Sequence, residues 1–280
     1  MSIIDGNRTL IEGQGGPVLG PALPVRPARK PTSGDQAGVP VAVLIDYDGT
    51  IATNDVSDDL VRAASSAQDW LALELAYREG AIGSRALLEV ETRLLPRDQA
   101  DLPDVLRHQP HDPAFAPFVD FARAHAMVIE VVSDGLGFFV GPALVELGVG
   151  DIPVFSASLR FEAAGPHITF PHGNPACSVC GTCKRARVLH HQAAGRHVVY
   201  VGDGYSDQYA VQYADTVFAK DDLVSICRDR DVAFEPWATF ADIEAWLSSR
   251  AGRLPPPRQR PFVCGPEADA VRQDVADPTP

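Results

Sequence analysis

Val41-Ala42-Val43-Leu44-Ile45-Asp46-Tyr47-Asp48-Gly49-Thr50 is a short apolar run that stops abruptly at an acidic turn. Five consecutive apolar residues of β-branched character suit a strand buried on both faces of a parallel sheet. Ligands of open α/β sheets bind outside the carboxyl ends of the strands. Two carboxylates spaced i, i+2 around a tight turn at such an end can converge on one cation. Gly49 lets the backbone approach a phosphate, and Thr50 adds a hydroxyl and an N–H. Alone, Asp-x-Asp-Gly reads equally as an acidic, solvated turn.

The same arrangement recurs downstream. Met127 to Val132 reads as a strand and is followed by Ser133-Asp134-Gly135. A strand-end Ser beside a Gly can offer a hydroxyl and backbone N–H groups to a phosphate oxygen; it can also simply cap the next helix. His197 to Val201 reads as a third buried strand, followed by Gly202-Asp203-Gly204-Tyr205-Ser206-Asp207. A helix is predicted over Tyr205 to Tyr213, which places Asp207 one turn in, facing the same way as Asp203. Asp203, Asp46 and a backbone carbonyl of Asp48 could form an oxygen-rich Mg²⁺ site. A capped helix start is the alternative. Lys184 opens a helix predicted to Ala194, where a cation can balance a nucleophile's charge.

The remaining periodicity completes an α/β pattern. Val56 to Leu106 is helical, with breaks near Gly80, Gly83 and Pro96. Helices are also predicted over Ala114 to Ala126, Leu136 to Leu147 and Phe240 to Ser249. Ile152 to Phe170 alternates around a Gly-Pro turn, as a hairpin or two short strands would. Thr216 to Ala219 is a fourth core strand. Alternating strands and helices predict a doubly wound, Rossmann-like parallel sheet with a helical cap inserted after the first strand. The expected divisions are a disordered arm over 1–39, a core over 40–53 and 110–250, a cap over 54–109, and a disordered tail over 251–280.

Asp-x-Asp-Gly-Thr, a strand-end Ser, a Lys and Gly-Asp-x-x-x-Asp, in this order over roughly residues 41–249, resemble the haloacid dehalogenase superfamily. The insert after the first motif resembles the phosphoserine-phosphatase-like branch, whose C1-type cap lies there. Pro171 to Lys184, with Cys177, Cys180 and Cys183, and Val217 to Leu223 followed by Cys227, are similar to the methionine-salvage phosphatase family. That family acts on 2-hydroxy-3-keto-5-methylthiopentenyl 1-phosphate. The resemblance implies a Mg²⁺-dependent phosphomonoester hydrolase working through an aspartyl phosphate. Asp46 would be the nucleophile and Asp48 the general acid and base. Gly49, Thr50, Ser133, Asp134 and Lys184 would hold phosphate, and Asp46, Asp48, Asp203 and Asp207 the metal. Substrates of phosphoserine, phosphocholine or natural-product type are alternatives, as are a phosphotransferase or mutase and a catalytically silent binding module.

Composition narrows the classes. The 280 residues are 45% apolar, enough for a substantial core, and carry a formal net charge of −13, which argues against sequence-independent nucleic-acid binding. A small phosphorylated metabolite is the expected partner, with a homodimer admitted, and neither nucleic acid nor membrane. No basic-then-apolar leader opens the sequence and no stretch suffices for a membrane helix, so a cytoplasmic protein is expected. Cys177-x-x-Cys180-x-x-Cys183 could hold Zn²⁺ with His172 or Cys227 as fourth ligand, or could be three thiols. Asp55, Glu74, Arg85 and Arg93 are candidates for substrate preference in the cap.

Overall fold

The computed structural model describes residues 38–258, with 108 and 251 excepted. The arm expected over 1–39, apart from 38 and 39, and the tail expected over 251–280, apart from 252–258, lie outside the described residues.

The first strand, β1 (Val41–Ile45), is buried at all five positions. The chain then leaves the sheet through α1 (Val56–Ala64), α2 (Ala67–Arg78) and α3 (Ser84–Leu94). Two 3₁₀ turns, Gln99–Asp101 and Asp104–Arg107, bring it back. Departure and return lie side by side: Thr53 N–H donates to the Pro110 carbonyl at 2.9 Å, and Ala52 bridges to His111. Next come α4 (Phe115–Ala124), β2 (Val128–Val132), α5 (Val140–Glu146) and β3 (Val154–Phe155). A separate ribbon, β4 (Ser158–Glu162) with β5 (Gly165–Thr169), precedes α6 (Lys184–Ala193). The chain continues through β6 (His197–Gly202), β7 (Thr216–Ala219), α7 (Asp221–Asp229), β8 (Glu235–Pro236) and α8 (Phe240–Ser249).

Six strands form one parallel sheet in the order β3-β2-β1-β6-β7-β8. The period-2 alternation of the strands sends side chains to opposite faces. Val43, Ile45, Val131, Val199 and Val201 join Phe115 and Phe118 of α4 and Phe240 of α8 on one side. Leu44, Val132, Val198 and Tyr200 join Val188 of α6 and Leu223 of α7 on the other. The expected doubly wound α/β core is therefore the one observed. Val56, Leu60 and Val61 of α1 belong to the first of these cores, so the insert is packed onto the body.

Three local expectations are corrected. Tyr205 to Tyr213 is not an α-helix; a 3₁₀ turn, Tyr205–Asp207, is followed by turns. The Asp207 carboxylate takes the N–H groups of Asp203 and Gly204 at 3.0 and 3.2 Å and so caps the start of that turn. The helix expected from Leu136 starts at Val140, because Gly137 has φ +80° and Leu136 N–H is drawn to Ser57 Oγ at 3.1 Å. The Gly-Pro pair is not the hairpin turn: Ala163 and Ala164 turn, and Gly165 and Pro166 begin β5. α7 and β8, which periodicity had not picked out, complete the far edge of the sheet. No helix among the described residues is long and apolar enough to cross a membrane.

Candidate active site

Register brings the motifs together. Ile45 pairs with Val131 on one side and Val201 on the other. The residues that follow each strand therefore emerge at one edge of the sheet. β1 lies between β2, which continues one half of the sheet, and β6, which begins the other, and an open α/β sheet binds ligands at such a reversal.

Asp46 sits at that point, 4% exposed. Its Oδ1 accepts Tyr47 N–H at 2.7 Å, and its Oδ2 lies 2.6 Å from Lys184 Nζ. Lys184 also reaches Asp207 Oδ1 at 2.7 Å and Ser206 Oγ at 2.7 Å. Asp207 is fully buried; Tyr200 OH donates to its Oδ1 at 2.6 Å, and its Oδ2 holds the two N–H groups described above. Asp203 Oδ1 accepts from Thr50 Oγ1 at 2.9 Å. Gly49, at φ +67°, makes room: a Cβ there would lie 2.0 Å from Asp203 Oδ2. Asp48 accepts Val56 N–H at 2.9 Å and Ser57 Oγ–H at 3.1 Å, so α1 fixes its carboxylate. Ser133 is fully buried at the end of β2, its Oγ accepting Gly135 N–H at 3.1 Å. The Asp134 carboxylate is committed elsewhere: it accepts Thr182 N–H at 2.7 Å and the Ser84 hydroxyl.

One oxygen from each of Asp46, Asp203 and Asp207 lies within 4.8 Å of the others. An all-carboxylate, all-oxygen set of this kind fits a hard cation such as Mg²⁺. Asp207 has the least spare capacity, since both of its oxygens already accept two hydrogen bonds.

The electrostatics follow from burial. Desolvation, then repulsion from Asp207, holds the Asp46 carboxyl well above the ordinary Asp range, against the attraction of Lys184. Burial also acts on Asp207, but Lys184, Tyr200 and Gly204 outweigh it and hold that carboxyl below its usual value. Lys184 would lose basicity through burial; Asp207 and Asp46 more than reverse this and keep it protonated. Desolvation within the enclosing pocket lifts Asp48 to about 6, although part of its surface faces the cavity, and Val56 and Ser57 oppose the rise. Burial, then Asp207, lifts Asp203 to about 7.

The family model described as Putative Phosphatase matches residues 41–239. The chain belongs to this family. It is 28% identical over 207 residues to the 2-hydroxy-3-keto-5-methylthiopentenyl-1-phosphate phosphatase of Exiguobacterium sibiricum, spanning 72% of this chain and 94% of the relative. The enzyme of the same name from Bacillus mycoides is 27% identical over 219 residues, spanning 74% and 95%. Among solved structures, a HAD family hydrolase from Salmonella enterica serovar Typhi matches with TM-score 0.58 at 20% identity, over 75% of this chain and 71% of that one. Phosphoserine phosphatase from T. onnurineus matches with TM-score 0.54 at 15% identity, over 77% and 98%. The protein is a phosphatase with a fold of haloacid dehalogenase type, and a silent binding module is set aside.

A cavity of about 230 Å³ opens over the aspartates of this phosphatase. Asp46, Asp48, Asp134 and Asp203 line its floor, while Ser133, Thr50, Lys184 and Asp207 stand behind the floor. The far wall comes from the insert. Of the four cap candidates, Asp55 and Glu74 line the cavity. Arg85 instead donates from Nε to the Cys180 carbonyl at 3.2 Å, and Arg93 is exposed.

Zinc at the cysteines is not supported. Among the described residues, neither the three cysteines nor His172 or Cys227 joins a group of three metal-ligating atoms; the aspartate trio does. Cys177 Sγ instead accepts Val179 N–H at 3.4 Å, and the Val179 carbonyl takes Arg85 N–H at 3.1 Å. The loop thus docks the start of α3 through its backbone.

Sequence reading missed Ser57, Tyr200, Ser206 and Glu91. The first three are set by tertiary contact alone. Glu91 carried a signal: Ser84, Leu87, Leu88 and Glu91 share one buried helical face, where an acid breaks the apolar period. Burial, then the charges of Asp58, Glu74 and Asp48, pushes the Glu91 carboxyl from 4.5 up to about 8. The folded chain therefore holds this proton more tightly than the unfolded chain. Its contribution to stability is complete below about pH 4.5 and is lost as pH rises to about 8. The loss is on the order of 5 kcal/mol. Denaturant unfolding at pH 5 and pH 8 is expected to show a smaller drop in Glu91→Gln than in the native chain. An equal drop in both would show that Glu91 titrates normally.

Proposed function

We propose that the protein is a Mg²⁺-dependent phosphomonoester hydrolase that works through an aspartyl phosphate on Asp46. The observation that supports this most is the meeting of Asp46, Asp203 and Lys184 at the carboxyl ends of adjacent strands.

Phosphoryl transfer depends chiefly on positioning and charge neutralisation. Asp46 attacks phosphorus in line, and Lys184 offsets the negative charge gathered on its carboxylate and on the phosphoryl oxygens. Gly49, Thr50, Ser133 and the Asp134 backbone would hold those oxygens. Asp48, lifted to about 6, is poised near neutrality to protonate the leaving alkoxide. It then takes a proton from the water that attacks the aspartyl phosphate. Asp46, Asp203 and the Asp48 carbonyl would hold Mg²⁺, with Asp207 reaching it through water. The ion, when bound, shields the phosphate from the carboxylates and orients in-line attack.

Residues 54–109 act as the cap, closing over the site and excluding water. The named relatives favour 2-hydroxy-3-keto-5-methylthiopentenyl 1-phosphate, or a related sugar-like phosphate, as substrate. Phosphoserine, phosphocholine or a natural-product phosphate is the alternative. Turnover of p-nitrophenyl phosphate is expected to fall to background in excess EDTA and to return on adding Mg²⁺. Undiminished turnover in chelator would refute the metal's role.

A further inference from the structure

Glu91 is 6% exposed and lines the cavity beside Leu87 and Leu88. Among the described residues, no hydrogen bond or ion pair reaches its carboxyl, and its interactions there are the repulsive ones with Asp58, Glu74 and Asp48. Four other acids of the wall, Asp55, Asp58, Glu74 and Asp222, are engaged. Asp55 caps α1 through Asp58 N–H at 2.8 Å, Asp58 accepts Trp70 Nε1, and Glu74 and Asp222 hold Arg78. A largely desolvated carboxyl that finds no protein partner is costly to the fold, whereas Leu at this position would extend the apolar face of α3. Because the Glu91 side chain opens onto the cavity, a ligand there can supply the missing hydrogen bond.

We propose that Glu91 recognises the alcohol part of the substrate by hydrogen-bonding a hydroxyl or keto oxygen, and that this part is small, uncharged and oxygenated. This rests on the phosphatase reading above and adds the residue that selects the substrate. An anionic alcohol is disfavoured by Asp58, Glu74 and Asp221, because Arg78, the basic residue of the lining, is already spent on Glu74 and Asp222. A neutral carboxyl can both donate to and accept from oxygen. Leu87 and Leu88 offer apolar contact beside it.

The test compares kcat/KM for glycerol 1-phosphate, n-propyl phosphate and O-phosphoethanolamine in the native enzyme, Glu91→Leu and Glu91→Gln. The native enzyme is expected to prefer glycerol 1-phosphate over both others. Glu91→Leu should cut the glycerol-to-propyl ratio by about tenfold to a hundredfold, the range spanned by one buried hydrogen bond. Glu91→Gln should restore most of that ratio, and Glu91→Leu should unfold at a higher temperature than the native chain. Equal losses on all three esters, or a native preference for O-phosphoethanolamine that Glu91→Gln abolishes, would overturn the proposal. A native enzyme that hydrolyses none of the three or p-nitrophenyl phosphate would instead defeat the phosphatase reading beneath it.

Discussion

Asp46→Asn is expected to lower phosphomonoester turnover by at least about 10⁴-fold while leaving the fold intact. The amide matches the carboxylate in shape but lacks the charge and basicity needed to attack phosphorus. The variant should fold because Lys184 keeps Asp207 as its counter-ion at 2.7 Å. Loss of a charge crowded by Asp207 and Asp203 also relieves repulsion. The thermal midpoint is therefore expected to stay level or rise, which separates a lost nucleophile from a lost fold. Near-native turnover in a folded Asp46→Asn would assign the nucleophile elsewhere.

Lys184→Met should damage both activity and stability. Lys184 is 3% exposed and is the cation between Asp46 and Asp207. Without it, buried carboxylates face one another uncompensated, a change that costs about 3–5 kcal/mol when one partner of a buried pair is removed. Urea unfolding in chelator should show that loss, and turnover should fall by about 10³-fold. Added Mg²⁺ should recover part of the stability, because a cation that binds only the folded trio shifts the equilibrium by mass action. A Lys184→Met variant as stable as the native chain would mean that the ammonium does not compensate these carboxylates.

On the proposed mechanism the two residues differ. Asp46 is costly to the fold and would be kept for its attack on phosphorus, whereas Lys184 also balances the buried carboxylates on either side of it. Glu91 resembles Asp46 in this respect, since burial and like charges work against it.

Legibility followed burial. β1, β2 and β7 were read within a residue of their observed bounds, and β6 was extended by Gly202 alone, because strands covered on both faces are written as unbroken apolar runs. α8 matched at both ends, helped by Thr239, which caps it with Asp242. The two-residue strands β3 and β8 are too short to show a period. The segment after β6 reads as an α-helix because its capped start, Gly204 with Asp207, is also how an α-helix begins.

The sequence by itself determined the alternation of strand and helix, the acidic and hydroxyl residues at the strand ends, and hence the class of chemistry. Those features are local, because each is set by a run of neighbouring residues and the side-chain period they impose. Tertiary structure alone decided that Ile45 lies level with both Val131 and Val201, that the Asp134 carboxylate meets Ser84 of the insert, and that Glu91 lines the cavity. These depend on pairing register and on how α3 is docked, which are fixed by contacts between residues far apart in the chain.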